Sequence, residues 1–162
     1  MRFRLREWDV PMPDALVAYW TAWNEHDLDQ IRSHLVGAVT DDVEWNDPRD
    51  SFVGIDELEQ AIRRLRTSKP DYAFVIASEI DCHHDRLRYR WDMVRNGRIL
   101  MEGLDVVTLR PSSGQPSSGQ PSPGEPSSGR IARVDGFFGH PTPIGDGDSG
   151  VPRELRRELH TT

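Results

Sequence analysis

The sequence predicts an α+β domain in which helices close one face of a curved antiparallel sheet, leaving a concave cavity between the two layers. Three observations carry this. Apolar residues recur at helical spacing as far as Leu65, and from Tyr72 onward they alternate with polar ones, the period of a half-buried strand. Between two alternating runs stands Asn96-Gly97, the pair that a type I′ hairpin turn favours, so the later strands pair as antiparallel neighbours.

The elements follow in order. Asp14 is a candidate N-cap for a first helix whose Leu16, Tyr19, Trp20 and Trp23 fall at i, i+3, i+4 and i+7. Asp27 with Gln30 reads as a capping box for a second helix carrying Leu28, Ile31 and Leu35. Val43 to Asp47 is a short strand stopped by Pro48. After Gly54 a third helix places Leu58, Ala61, Ile62 and Leu65 at core spacing, with Arg63, Arg64 and Arg66 as its solvated side. Tyr72, Phe74 and Ile76 alternate, as do Leu87, Tyr89, Trp91 and Met93. The strand from Arg98 to Arg110 holds Gly103 as a candidate bulge and should pair with the last strand, Ile131 to Gly139.

Residues 111–130 interrupt that pairing with four copies of a five-residue unit, PSSGQ, PSSGQ, PSPGE and PSSGR. Sixteen of the 20 residues are Pro, Ser or Gly, so the segment can bury almost nothing to offset its ordering entropy and reads as a disordered insertion. The organisation expected is one domain over 1–140 containing this insertion, then a flexible charged tail over 141–162. A chain of 162 residues leaves no room for a second domain of ordinary size.

Composition narrows the function classes. With 20 Lys plus Arg against 27 Asp plus Glu, net −7, the chain lacks the basic excess that would neutralise a phosphate backbone, so nucleic acid is not an expected partner. The one cysteine, Cys82, can form neither an internal disulfide nor a thiolate metal site, which fits a reducing, cytoplasmic compartment. The first ten residues, MRFRLREWDV, hold no apolar run of signal-peptide length, and no stretch reaches a membrane span. His83-His84 beside Cys82 has no spaced third ligand, so no metal is expected. Only one of the 20 basic residues is lysine, a codon bias that points to a GC-rich bacterial source.

Several strings resemble the nuclear transport factor 2-like superfamily, the cone-shaped fold that includes SnoaL-like polyketide cyclases and ketosteroid isomerases. They are AYWTAWNEHDLDQIRSHL, DDVEWNDP followed by GIDELEQAI, GLDVVTL and GRIARVDGFFG. The resemblance implies a small apolar organic ligand, a homodimer, no cofactor, and either an isomerase or cyclase or a non-catalytic binding or accessory module. Three residues match the ketosteroid-isomerase pattern: Asp47 of Asn46-Asp47-Pro48 as base, Tyr19 on the first helix, and Asp105 on a late strand as a carboxylic acid kept neutral so that it can donate a hydrogen bond. Trp23, Trp45, Tyr89, Trp91 and Phe138 would form the pocket wall. A rival pattern resembles limonene epoxide hydrolase, with Arg90, Asp92, Asp135 and Asn46 in its positions but Glu44 where that family has a tyrosine.

Strand parity favours the first pattern. Successive side chains face opposite sides, so Tyr89, Trp91 and Met93 cannot share a face with Arg90 and Asp92. Burying the three apolar groups stabilises by roughly 1.5–3 kcal/mol each, whereas burying Arg90 and Asp92 costs several kcal/mol unless their pairing is very good. The same register turns Val134, Gly136 and Phe138 inward and Asp135 outward. Asp105, flanked by Leu104, Val106 and Val107, must be protonated, paired or solvated, because a bare buried carboxylate is too costly.

Overall fold

The structure, a computed structural model, describes residues 12–111 and 129–139. Helix α1 (Asp14–Asn24) leads through a 3-10 turn (Leu28–Gln30) into α2 (Ile31–Ala38), then strands β1 (Val39–Asn46) and β2 (Ser51–Val53). Helix α3 (Ile55–Ser68) precedes β3 (Tyr72–Ile76), β4 (Asp81–His83), β5 (Arg86–Arg95), β6 (Arg98–Pro111) and β7 (Gly129–Phe138). The sheet order is β2-β1-β7-β6-β5-β3, with β4 beside β5. Three helices cover one face of a curved sheet, the α+β cone that the two periods predict.

The sheet is mixed and not wholly antiparallel, because β7 runs parallel to β1. Hairpins fix the sense of β5, β6 and β7, but no hairpin joins β1 to β7, so nothing local dictates their direction. Two caps also differ from expectation. The carbonyl of Pro13 accepts from Leu16 and Val17, and Asp14 lies in the first turn instead of capping it. Asp27 caps only the 3-10 turn, accepting from Asp29 N at 3.0 Å, and Gln30 does not reach back; Glu25 Oε1 accepts from Asp27 N at 2.9 Å in its place.

Asn96 and Gly97 adopt φ of +48° and +75°, as a type I′ turn requires. Gly103 is not a bulge. The extra residue is Leu100, between the pairs Met93↔Met101 and Val94↔Ile99. Gly103 stands opposite Trp91, and a Cβ there would come within 2.2 Å of Trp91 Cζ2. The missing side chain leaves room for the indole to lie across β6.

Arg66 overturns the expectation of a solvated helix face, being 3% exposed. Its guanidinium donates to the carbonyls of Trp23, Lys69, Pro70 and Tyr72 at 2.7–3.1 Å. Trp23 and Lys69 lie at or beside the C-termini of α1 and α3, where exposed carbonyls concentrate partial negative charge, so they hold a cation without a carboxylate. Burial nevertheless lowers the Arg66 pKa. Asn24 completes the clamp, donating to Trp20 O and Phe74 O at 3.0 Å and accepting from Phe74 N at 2.8 Å. Together they fix α1 over β3, so its aromatic stripe faces the sheet.

The ends of the repeat lie in the sheet: Pro111 closes β6, Gly129 opens β7, and the two are paired. The rest of the repeat, the first eleven residues and the tail from 140 lie outside the described residues. Because the strand ends already meet, replacing 112–128 by a three-residue turn should preserve the fold, with roughly 1.5 kcal/mol less closure entropy to overcome. Thermal melting of that variant checks it: an unchanged or raised midpoint is expected, and a clear drop would make the repeat structural.

Candidate functional site

Register assembles the site. Alternation turns Tyr89, Trp91 and Met93 toward the helices, and Tyr89 pairs with Asp105, which pairs in turn with Gly136. On the far side of β7 the last parallel pair is Asn46↔Asp135, so the next residue of β1's chain, Asp47, arrives level with Gly136. Asp105 and Asp47 thus flank a residue with no side chain. A Cβ added to Gly136 would stand 3.2 Å from Asp105 Oδ1 and 3.4 Å from Asp47 Cβ. That gap is the inner end of a cavity of about 310 Å³.

All three residues expected to carry chemistry, Tyr19, Asp47 and Asp105, line this cavity, as do Trp23, Trp45, Trp91 and Phe138 from the expected wall. Tyr89 does not. It is buried behind the wall, and its hydroxyl donates to Asp105 Oδ2 at 3.3 Å. Trp91 makes the shorter contact, Nε1 donating to Asp105 Oδ1 at 2.7 Å, a reach that its position over Gly103 permits. Asp105 is only 5% exposed. Burial pushes its carboxyl up to about 7; the Trp91 and Tyr89 hydrogen bonds pull it down, and the nearby Asp47 charge adds to the rise.

Tyr19 accepts a hydrogen bond from Trp45 Nε1 at 2.8 Å, and among the described residues its own O–H has no acceptor. Its proton is therefore free to meet a ligand oxygen. Burial first, and then Asp105, hold the Tyr19 phenol well above its ordinary pKa, and the same two causes act on Tyr89. The indole N–H groups of Trp23 and Trp20 lie close enough to these hydroxyls to lower them slightly, yet outside hydrogen-bond geometry. Asp47 Oδ1 accepts from Arg49 N at 2.7 Å and Asp50 N at 2.8 Å, a turn built by its side chain. Its Oδ2 accepts nothing among the described residues.

The epoxide-hydrolase set occupies the other side of the sheet. Arg90 and Asp92 alternate with the inward Tyr89, Trp91 and Met93, and Asp135 is held by Arg133 at 2.7 and 2.9 Å, with Asn46 at 3.5 Å. Partial burial and then Glu102, its cross-strand neighbour, raise Asp92, while Arg90 lowers it. None of Arg90, Asp92 and Asp135 lines the cavity. Among the described residues no group of three His, Cys, Asp or Glu side chains is placed to hold a metal.

The sequence assigns no cavity role to its basic residues Arg49 and Lys69, and Arg64, expected on the solvated side of α3, is exposed as expected but also lines the cavity. A signal existed for Arg64, which falls with Ala61, Leu65 and Ser68 on one stripe of α3, and all four line the cavity.

Comparison with known proteins identifies the family and agrees with the fold. The family model of the SnoaL-like domain matches residues 16–115, and the chain belongs to that family. No curated protein matches it. Among solved structures it is similar to a candidate isomerase of the SnoaL-like family from Agrobacterium tumefaciens, 27% identical, TM-score 0.63, covering 78% of this chain and 95% of that one. A candidate polyketide cyclase from Sinorhizobium meliloti is 16% identical, TM-score 0.54, covering 77% and 94%. A nuclear transport factor 2-like protein of unknown function from Cytophaga hutchinsonii is 10% identical, TM-score 0.53, covering 82% and 94%.

The hydrogen bonds on Asp105 make a titration test. Trp91→Phe deletes the shorter donor, so the carboxyl pKa should rise further above about 7. Carboxyl NMR titration of both proteins reads it; an unchanged or lower value would show that the indole does not hold Asp105. Stability should follow the same group. Its pKa is raised in the folded state, so the proton it retains stabilises the fold fully below about pH 4 and that contribution is lost as pH rises to about 7. Relative to Asp105→Asn, the wild type should therefore gain a few kcal/mol in urea titrations on going from pH 7 to pH 4.

Proposed function

We propose that this SnoaL-like domain binds a small carbonyl compound and removes a proton from the carbon next to the carbonyl, in an isomerisation or an aldol-type cyclisation. Asp47 Oδ2 takes the proton, and the C–H electron pair moves through the adjacent carbon onto the carbonyl oxygen. Tyr19 O–H and the protonated carboxyl of Asp105 donate to that developing oxyanion. The enolate then takes the proton back from Asp47 at the far carbon of an adjoining C=C bond, or its carbon attacks a second carbonyl whose oxygen receives that proton. The scheme requires no cofactor. In this reading the chain pairs as a homodimer, which the exposure of Phe137 on the outer sheet face supports.

The observation that carries the reading is the pair of carboxyl groups across Gly136 in one apolar cavity, with a free Tyr19 O–H beside them. The two groups differ in environment, as acid and base must at one pH. Asp105 is buried and pushed up to about 7, whereas Asp47 stands half-buried with two backbone amides on one oxygen. Those amides also favour a second reading, a non-catalytic binding module in which Asp47 simply caps its turn.

Two measurements separate the readings. Deuterium exchange at the acidic carbon of 2-tetralone in D₂O, followed by proton NMR, should be accelerated by the protein and slowed about 10²-fold or more by Asp47→Asn. Tryptophan quenching by 2-naphthol, an enolate mimic, should survive Asp47→Asn and weaken in Tyr19→Phe and Asp105→Ala. Binding without accelerated exchange would leave the binding module; neither would remove the cavity from consideration.

A further inference from the structure

Three cations gather at the outer end of the cavity. Arg49 and Arg64 are exposed and Lys69, the one lysine of the chain, is half-buried, and all three line the opening. Among the described residues none has a carboxylate within ion-pair distance. Elsewhere Arg32, Arg63, Arg88, Arg95, Arg110 and Arg133 each sit against an Asp or Glu, as a chain of net charge −7 readily allows. Two of the three mouth cations rest on aromatic rings: Arg49 Cζ is 5.2 Å from the Phe138 centroid and Lys69 Nζ 5.3 Å from that of Tyr72. Such contacts position a cation without cancelling its charge.

We propose that the ligand of this cavity carries a carboxylate, held at the mouth by Arg49, Arg64 and Lys69 while its apolar carbonyl-bearing body lies among Trp20, Trp23 and Trp91. The inference rests on the reading of the cavity as a carbonyl-compound site and adds the substrate class. Charge balance favours one negative charge over two. The three cations share the lining with the carboxylates of Asp47 and Asp50, which leaves a net of about +1 over the whole cavity when Asp105 is protonated. The distribution along the cavity matches a ligand with two ends. Hydrogen-bond donors for an oxygen lie at the buried end, apolar rings line the middle, and cations stand where the far end would meet water. Arg64 is the clearest of the three, because it faces the opening from α3 and makes no side-chain bond to the protein among the described residues.

The test compares 6-hydroxy-2-naphthoate with its neutral carboxamide by tryptophan quenching of the full chain. The carboxylate should bind about tenfold more tightly at low salt, equivalent to about 1.4 kcal/mol. That preference should fall toward unity in Arg64→Gln combined with Lys69→Gln, and in about 1 M salt, where the screening length shrinks to about 3 Å. Carboxamide binding should be unchanged in the double variant, which shows that it remains folded. Equal affinities in the wild type, or a preference that survives the double variant, would overturn the inference and leave the carbonyl reading standing. Failure of both compounds to bind would overturn both.

Discussion

A single cross-strand row holds the structure and the candidate chemistry together: Tyr89, Asp105 and Gly136 side by side on β5, β6 and β7, with Asp47 next in line past the end of β1. Each member constrains the next. Asp105 can be buried only because Tyr89 and Trp91 satisfy both of its oxygens. Trp91 reaches it only because Gly103 offers no side chain in the way, and Asp47 comes within reach only because β1 runs parallel to β7 and Gly136 leaves the space between them open. A shift of one residue in any of these pairings would turn Asp105 or Trp91 to the other face of the sheet.

The helices complete the row by covering it. Arg66 and Asn24 tie the end of α1 to the start of β3, and that tether sets Tyr19, Trp20 and Trp23 above the sheet. Edge-on aromatic contacts then link Trp20 with Tyr89 and Trp23 with Phe74. Such pairs stabilise by about 0.5–1.5 kcal/mol each beyond the area they bury, and they exclude water from the place where an oxyanion would form. The low dielectric that raises Asp105 is a product of this packing.

Much of the site could be read from the chain, because strand parity is a strict rule. Once Tyr89, Trp91 and Met93 face inward, Arg90, Asp92 and Asp135 face out, and a carboxylate amid Leu104, Val106 and Val107 has to be explained. What escaped the reading needs three dimensions. Gly103 looks like a bulge in sequence, and only the register with Trp91 shows that it makes room for an indole. Arg66 follows Leu58 and Ile62 at successive i+4 steps, on the apolar stripe of α3, but an arginine there is tolerable only because carbonyls from two helix ends and β3 converge on it. The parallel pairing of β1 with β7 has no local signal, since about half of the chain separates the two strands.

The central claim is that Asp105 and Tyr19 hold a ligand oxygen while Asp47 faces the adjoining carbon across Gly136. A crystal structure of the protein with bound 2-naphthol, grown below pH 7, tests it most directly. The phenol oxygen should lie within about 3 Å of both Tyr19 Oη and an Asp105 carboxyl oxygen, with the ring among Trp20, Trp23 and Trp91 and Asp47 Oδ2 turned toward its carbon edge. A phenol oriented the other way, with its oxygen at the mouth beside Arg64, or one bound outside this cavity, would contradict the account.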